Sequence, residues 1–175
     1  MKQRFETSQW VPFRFEVVFA FFANPNNLPR LMPEGAQTRI EELRIMPAAP
    51  RDANTVGARS QLAIAAGVGS EILLSFRPAP WLPFRLHWLA QISEFRWNSH
   101  FCDYQVRGPF AQFHHCHRFQ AAMQSGAWGT TITDEIEYAL PLGVLGGLGS
   151  GMVRRKLERS FVERQARLIK LIATT

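Results

Sequence analysis

The spacing of apolar and polar positions changes several times along the chain, and each change marks an element. Residues 7–11 read as a short strand, and Pro12 then stands at the first-turn position of a helix, where no amide hydrogen is needed. Residues 13–22 are apolar on almost every face, the pattern of a buried helix. Asn24-Pro25 restarts the chain into a second short helix over 26–32, which Pro33 stops. Residues 38–46 alternate imperfectly through Ile40, Leu43 and Ile45 and read as a strand, followed by a proline-containing loop over 47–54. Strands then dominate: 57–65, 71–76, 85–97, 100–107, 110–123 and 130–140. The breaks between them are residues 66–69, a stiff proline loop at 78–83, Gly108-Pro109 and Ser125-Gly126. Finally Val153, Leu157, Phe161, Leu168 and Ile172 recur at three- and four-residue intervals among charges, which predicts one long amphipathic helix whose stripe covers the sheet.

Length fits this as one domain over 1–175. Apolar residues make up 46% and charged residues 19%, enough for a packed core and too apolar for a disordered chain. Fourteen Phe and five Trp suit a large core or the walls of a ligand pocket, and composition favours neither.

A net charge of +6 raises the question of nucleic acid. Its location answers it: seven basic residues against Glu158 and Glu163 between positions 152 and 172 place five of the six net charges on the last helix. A solvated helix face accounts for that run, and no nucleic-acid partner is expected. An anionic membrane surface is the partner class the run could serve, through peripheral contact. Lys2, Arg4 and Glu6 stand where the apolar core of a targeting peptide would sit. The longest uncharged stretch, 138–153, contains Pro141 and five glycines and falls short of the roughly 20 apolar residues of a membrane span. A cytoplasmic location follows as the expectation, in which Cys102 and Cys116 stay reduced as small buried side chains. Nothing in the sequence specifies an oligomeric state.

The order of strand, two short helices, a run of further strands and a long amphipathic helix is distinctive. So are Val11-Pro12 with the apolar run 17–22, Asn24-Pro25-Asn26-Asn27-Leu28-Pro29, Gly108-Pro109-Phe110 before a His-rich strand, and Gly129-Thr130 with Asp134, Tyr138 and Pro141. In these features the chain resembles the helix-grip superfamily, the START and birch-pollen-allergen-like proteins, with their polyketide cyclase/dehydrase-like and coenzyme Q-binding branches. The resemblance implies an α+β fold: a seven-stranded curved antiparallel sheet wrapped around a long C-terminal helix, with two short helices after strand 1. It also implies a cavity for a lipid-, quinone- or polyketide-like molecule, with only some members being enzymes.

The residues can be read without it. In the hairpin around Gly108-Pro109, paired positions have numbers that sum to about 218, so Asp103 faces His115. Alternation puts Phe101, Asp103 and Gln105 on one face with Phe113, His115, His117 and Phe119, and Cys102, Tyr104, His114, Cys116 and Arg118 on the other. Across the next turn His117 comes near Asp134, with Tyr138 further along the same face. One bulge would exchange the two sets.

Three readings of Asp103, His115, His117 and Asp134 stand side by side. They satisfy one another inside a core; or they form the polar end of an aromatic pocket; or a histidine acts as general base with an aspartate orienting it, as in a cyclase or dehydratase. Pocket candidates are Phe101, Gln105, Phe113, Phe119, Tyr138, Trp88 and Phe161, with Trp81 in the proline loop as a mouth residue. No cofactor motif is present, and His-x-His alone is too common an accident to name a metal. The glycines at 143, 146, 147, 149 and 151 lack the Gly-Lys-Ser/Thr ending of a phosphate loop and read as a flexible strand-to-helix connection. Binding of a small hydrophobic molecule is the favoured function. A His/Asp enzyme and a module that docks its basic helix on an anionic surface are the alternatives.

Overall fold

The computed structural model describes residues 2–49, 64–141 and 150–174. Seven antiparallel strands form one sheet in the order β1-β7-β6-β5-β4-β3-β2. They are β1 (Lys2–Val11), β2 (Arg39–Arg44), β3 (Glu71–Phe76), β4 (Leu86–Arg96), β5 (His100–Arg107), β6 (Gln112–Gln124) and β7 (Ala127–Ala139). Two short helices, α1 (Phe15–Ala23) and α2 (Leu28–Leu31), follow β1, and the long α3 (Ser150–Ala173) closes the chain. The sheet is curved, and bulges in the β4–β5 ladder between Leu89 and Ala90 and between Ile92 and Glu94 add to its bend.

Several boundaries differ from the sequence reading, each for a local reason. β1 begins at Lys2, five residues before the expected start, because Phe5 is buried and pairs with Ile136. The inward positions around it are polar and hid the alternation. Gln9 donates to the Gln165 carbonyl of α3, Gln165 donates to Thr7 Oγ1, and the Tyr138 hydroxyl donates to Gln3. Pro12 lies in a bend before α1, whose N-cap is Arg14, and Thr130 Oγ1 holds that bend by donating to the Phe13 carbonyl. The second helix is shared between a 3-10 turn at Pro25–Asn27, capped by Asn24, and α2. β2 is shorter than 38–46, and within it Glu41 bulges out of the ladder with β3. The strand expected over 57–65 falls mainly outside the described residues, as does most of the glycine run; Ala66 forms a single bridge with Pro47.

The turns follow their chemistry. Ser125 and Gly126 both have positive φ (49° and 80°), the pair of left-handed residues that a two-residue hairpin of right-handed twist requires. Gly129 is fixed by crowding, since a Cβ there would come within 2.3 Å of the Val11 carbonyl and 2.5 Å of the Trp10 ring.

The cysteines correct an expectation. Both are buried, but Cys102 and Cys116 are joined in a disulfide rather than left as thiols. The register that sets Asp103 opposite His115 also sets Cys102 opposite Cys116, with Cα atoms 4.1 Å apart on the other face of the sheet. That separation is slightly shorter than the usual span of about 4.4–6.8 Å and well inside the limit of about 7 Å beyond which no bridge can form.

The interior has two apolar clusters. One gathers Phe19, Phe21, Phe101, Phe119, Leu168 and Ile172, with Phe22 and Phe95 against it. The second gathers Phe5, Phe113, Ile136, Tyr138 and Phe161, with Trp88, Phe110 and Leu157 against it. Residues of α3 contribute to both, so the helix spans the interior as its spacing predicts. Phe161, 4% exposed, stacks 5.3 Å from Phe5. Phe161→Ala is expected to cost about 3–5 kcal/mol in urea unfolding, whereas the exposed Val162→Ala is expected to stay within about 0.5 kcal/mol. Equal effects at the two positions would show that the stripe does not cover the sheet.

Candidate functional site

Between the two apolar clusters, on the face covered by α3, the sheet carries ionisable side chains. β6 supplies His115 and His117, two residues apart and therefore on one face, with ring centroids 4.0 Å apart. β7 supplies Asp134, directly opposite His117, and β5 supplies Asp103, directly opposite His115. All four expected residues are thus brought together on the inner face.

One oxygen, Asp134 Oδ1, serves both imidazoles: it lies 2.9 Å from His115 Nε2 and 2.6 Å from His117 Nδ1. The first contact is a hydrogen bond. The second is closer but misaligned, a charge contact that leaves His117 Nδ1 without a proper acceptor. His115, His117 and Asp134 are each 6% exposed. Asp103 is half-buried and takes no hydrogen bond from the described residues.

These surroundings set the charges. Burial pushes the Asp134 carboxyl up, but the neighbouring His117 and the hydrogen bond from His115 outweigh it and hold the group well below the usual carboxylate range. Burial and the neighbouring His117 lower His115, against the pull of Asp134. Burial raises Asp103, against His115, His114 and Arg164. An ionised Asp134 can only accept, so Nε2 of His115 carries the hydrogen, and the neutral ring keeps Nδ1 as its basic atom.

Rings enclose the group on both sides. Phe101, Phe22 and Phe119 lie 4.7, 5.4 and 6.4 Å from the His117 ring, and Phe161 and Phe113 lie 6.0 and 6.3 Å from the His115 ring. The His pair therefore joins the two apolar clusters. Trp88 packs at 4.6 Å on Phe113 and Tyr138 at 5.8 Å from Phe110, both at the far end of the second cluster.

Two candidates stand elsewhere. Gln105 does not offer its amide to the interior: Nε2 donates to the Phe110 carbonyl and Oε1 accepts from the Phe110 amide, stapling the β5–β6 turn. Trp81 is 82% exposed and stands apart from the cavity beside Asp134.

Arg164 was missed by the sequence reading. It follows Phe161 by three residues and precedes Leu168 by four, so it belongs to the inward stripe of α3, and a charged residue at a stripe position was the available signal. It lines a small cavity with Asp134, Gln9, Phe22, Phe161 and Leu168. Its volume of about 10 Å³ is room for about one water.

Asp103, His115 and His117 each offer a ligand atom within 4.8 Å of the others, a donor set of two imidazoles and a carboxylate that suits a divalent transition metal. Asp134 would then orient the imidazoles from behind. The positive Arg164 beside both aspartates opposes a cation there. Cys102, His114 and Cys116 form a second such group on the outer face, where the disulfide occupies the sulfurs.

The lowered His115 sets a pH dependence. Its stabilisation is full above 6.5, where folded and unfolded forms are both neutral, and is lost as pH falls below 6.5 toward the folded value, because the unfolded chain takes up the proton first. Asp134, held low, contributes fully above 3.8 and loses its contribution only in stronger acid. Thermal melts on either side of pH 6.5 are expected to show the parent losing stability on the acid side, and His115→Gln losing less. Identical slopes would show that His115 is not held neutral.

No protein-family model matches the chain, and no curated protein matches it in sequence. Solved structures match in shape. TTHA0849 from Thermus thermophilus superposes with a TM-score of 0.64 at 13% identity, covering 98% of each chain. Ara h 8.0201 gives 0.63 at 13% identity with 100% of each chain covered. A point mutant of Thalictrum flavum norcoclaurine synthase in complex with a transition state analogue gives 0.61 at 14% identity, covering 99% of this chain and 96% of that one. Likeness at such identity is likeness of fold, and with the strand order and closing helix described above it gives the chain a helix-grip fold.

Proposed function

We propose that the chain binds a small hydrophobic molecule, lipid-, quinone- or polyketide-like, between the sheet and α3, with the polar end of the molecule at the Asp103–His115–His117–Asp134 group. One observation carries this reading: ionisable side chains are buried between two aromatic clusters at the sheet–helix interface. An apolar filling of the same volume would leave the fold at least as stable, because a buried ionic network costs desolvation that its own attraction barely repays. Buried groups with displaced pKa values beside a cavity are the usual mark of a site. The cavity beside Asp134 and Arg164 has about 10 Å³ open, so a ligand enters there only if α3 shifts from the sheet.

The test is titration with a hydrophobic fluorescent probe, together with native mass spectrometry of freshly purified protein. A saturable, competable site of one probe per chain is expected. A ligand at a hundred times its dissociation constant should stabilise the fold by about 2.7 kcal/mol. Unsaturable probe uptake, no copurified molecule and no ligand-dependent shift in melting would together remove the reading.

A second reading has its own support. The neutral His115 hydrogen-bonded to Asp134 is the arrangement of a general base and its orienting carboxylate. Norcoclaurine synthase, which shares the fold, is by its name an enzyme. A cyclase or dehydratase acting on the bound molecule would use His115 as base, with Asp103 as the nearest second acid. For any substrate identified by copurification, His115→Gln should lower turnover by about 10²–10⁴-fold while affinity changes little. Unchanged turnover in folded His115→Gln and His117→Gln variants would make both histidines non-catalytic.

A further inference from the structure

Among the described residues Arg164 is an inward-facing cation that no carboxylate holds by an ion pair or hydrogen bond, although Asp134 and Asp103 lie near it. Its guanidinium carbon stands 4.6 Å above the Phe161 ring, and the side chain is half-buried beneath α3. Among the described residues no carboxylate oxygen lies within 4.0 Å of it, and it makes no hydrogen bond. Other arginines of the same helix are engaged: Arg154 reaches Glu158 at 3.1 Å, and Arg167 reaches Glu34 at 2.8 Å and the Arg30 carbonyl at 3.1 Å. Asp134, which lines the cavity with Arg164, has one oxygen committed to His115 and His117. Burial also favours the neutral form of Asp103, which weakens the other negative charge in reach.

An inward cation left without an anion costs several times what a paired one does, and an aliphatic residue would cover Phe161 equally well. What a guanidinium supplies that an aliphatic side chain does not is a rigid fork of N–H donors matched to a planar anion. The cavity it lines is otherwise walled chiefly by Phe22, Leu31, Ile132, Phe161 and Leu168, so the anion's remaining atoms meet apolar surface.

We infer that Arg164 is the anchor for the carboxylate of an acidic amphiphile, whose apolar body lies against the aromatic clusters. A single guanidinium balances one negative charge, which fits a carboxylate and not a phosphate monoester of charge near −2. This inference rests on the reading that the sheet–helix interface takes up a small molecule, and it names the class of that molecule.

The experiment is displacement of the fluorescent probe by dodecanoate, dodecanol and dodecyl phosphate from the parent, Arg164→Gln and Arg164→Lys, with folding of each checked by circular dichroism. In the parent, dodecanoate is expected to bind about 10–100-fold more tightly than dodecanol, the difference a charge-assisted hydrogen bond makes. Arg164→Gln should abolish that preference and leave dodecanol unchanged, and Arg164→Lys should retain part of it. Equal affinity for acid and alcohol in the parent overturns the inference while leaving the binding reading intact, and so does a preference that survives Arg164→Gln. Tighter binding of dodecyl phosphate than of dodecanoate overturns it in favour of a phosphate head. If no ligand displaces the probe, or no saturable probe site exists, the binding reading itself has failed. Should Arg164→Gln not fold, the preference is decided on the parent and Arg164→Lys.

Discussion

The pairing of β6 with β5 on one side and β7 on the other is the constraint on which the rest of the molecule depends. It sets His115 opposite Asp103 and His117 opposite Asp134, and alternation then sends all four side chains to the face that α3 covers. A slip of one residue would exchange both faces at once. The cysteines would turn inward, the histidines outward, and Phe101, Phe113 and Phe119 would lose their places in the core. The β6–β7 ladder runs unbroken from Gln112–Ala139 to Gln124–Ala127, and the two left-handed residues of its tight turn hold its register. The bulges that bend the sheet lie in the β4–β5 and β2–β3 ladders, one of them beside the Ile92–Asp103 pair, while the β5–β6 and β6–β7 pairs of the site stay in register.

That arrangement explains which parts of the structure were legible in the sequence. The hairpin arithmetic needed only the positions of two turns and the strict period of a strand, so the network of Asp103, His115, His117 and Asp134 could be read before any coordinates. The long helix was equally plain, because its apolar residues recur among charges. β1 was truncated in the reading because Gln3, Thr7 and Gln9 point inward and find partners on β7 and α3, contacts that no local pattern contains. Gln105 was assigned to the correct face, but its side chain folds back on Phe110 where the β5–β6 ladder ends at Tyr104–His114. The disulfide followed from the same register that placed the histidines; the expectation of free thiols came from a presumed compartment rather than from geometry.

Arg164 shows a different kind of blindness. In the sequence it was one of seven basic residues of the last helix, and the run as a whole read as a solvated face. Its phase relative to Phe161 and Leu168 set it apart, because a cation three residues after one core position and four before another must either snorkel out or point in. Here it points in, over a ring and beside a small cavity.

The fate of the other charges on α3 bears on the idea of an anionic docking surface. Lys156 donates to the Pro78 carbonyl, which ties the start of the helix to the proline loop, and Arg167 ties its middle to α2 and the turn beyond. Arg154 pairs with Glu158 within the helix. Arg155, Arg159 and Lys170 stay exposed without such contacts, and they are spread along the helix with Val162 and Ile169 exposed between them. Two of the seven basic residues, Lys156 and Arg167, therefore fasten the helix to the body of the protein, and Arg164 faces the interior. These contacts hold the helix near its start and in its second half. Any opening of the sheet–helix interface would expose the two aromatic clusters and the ionisable group between them.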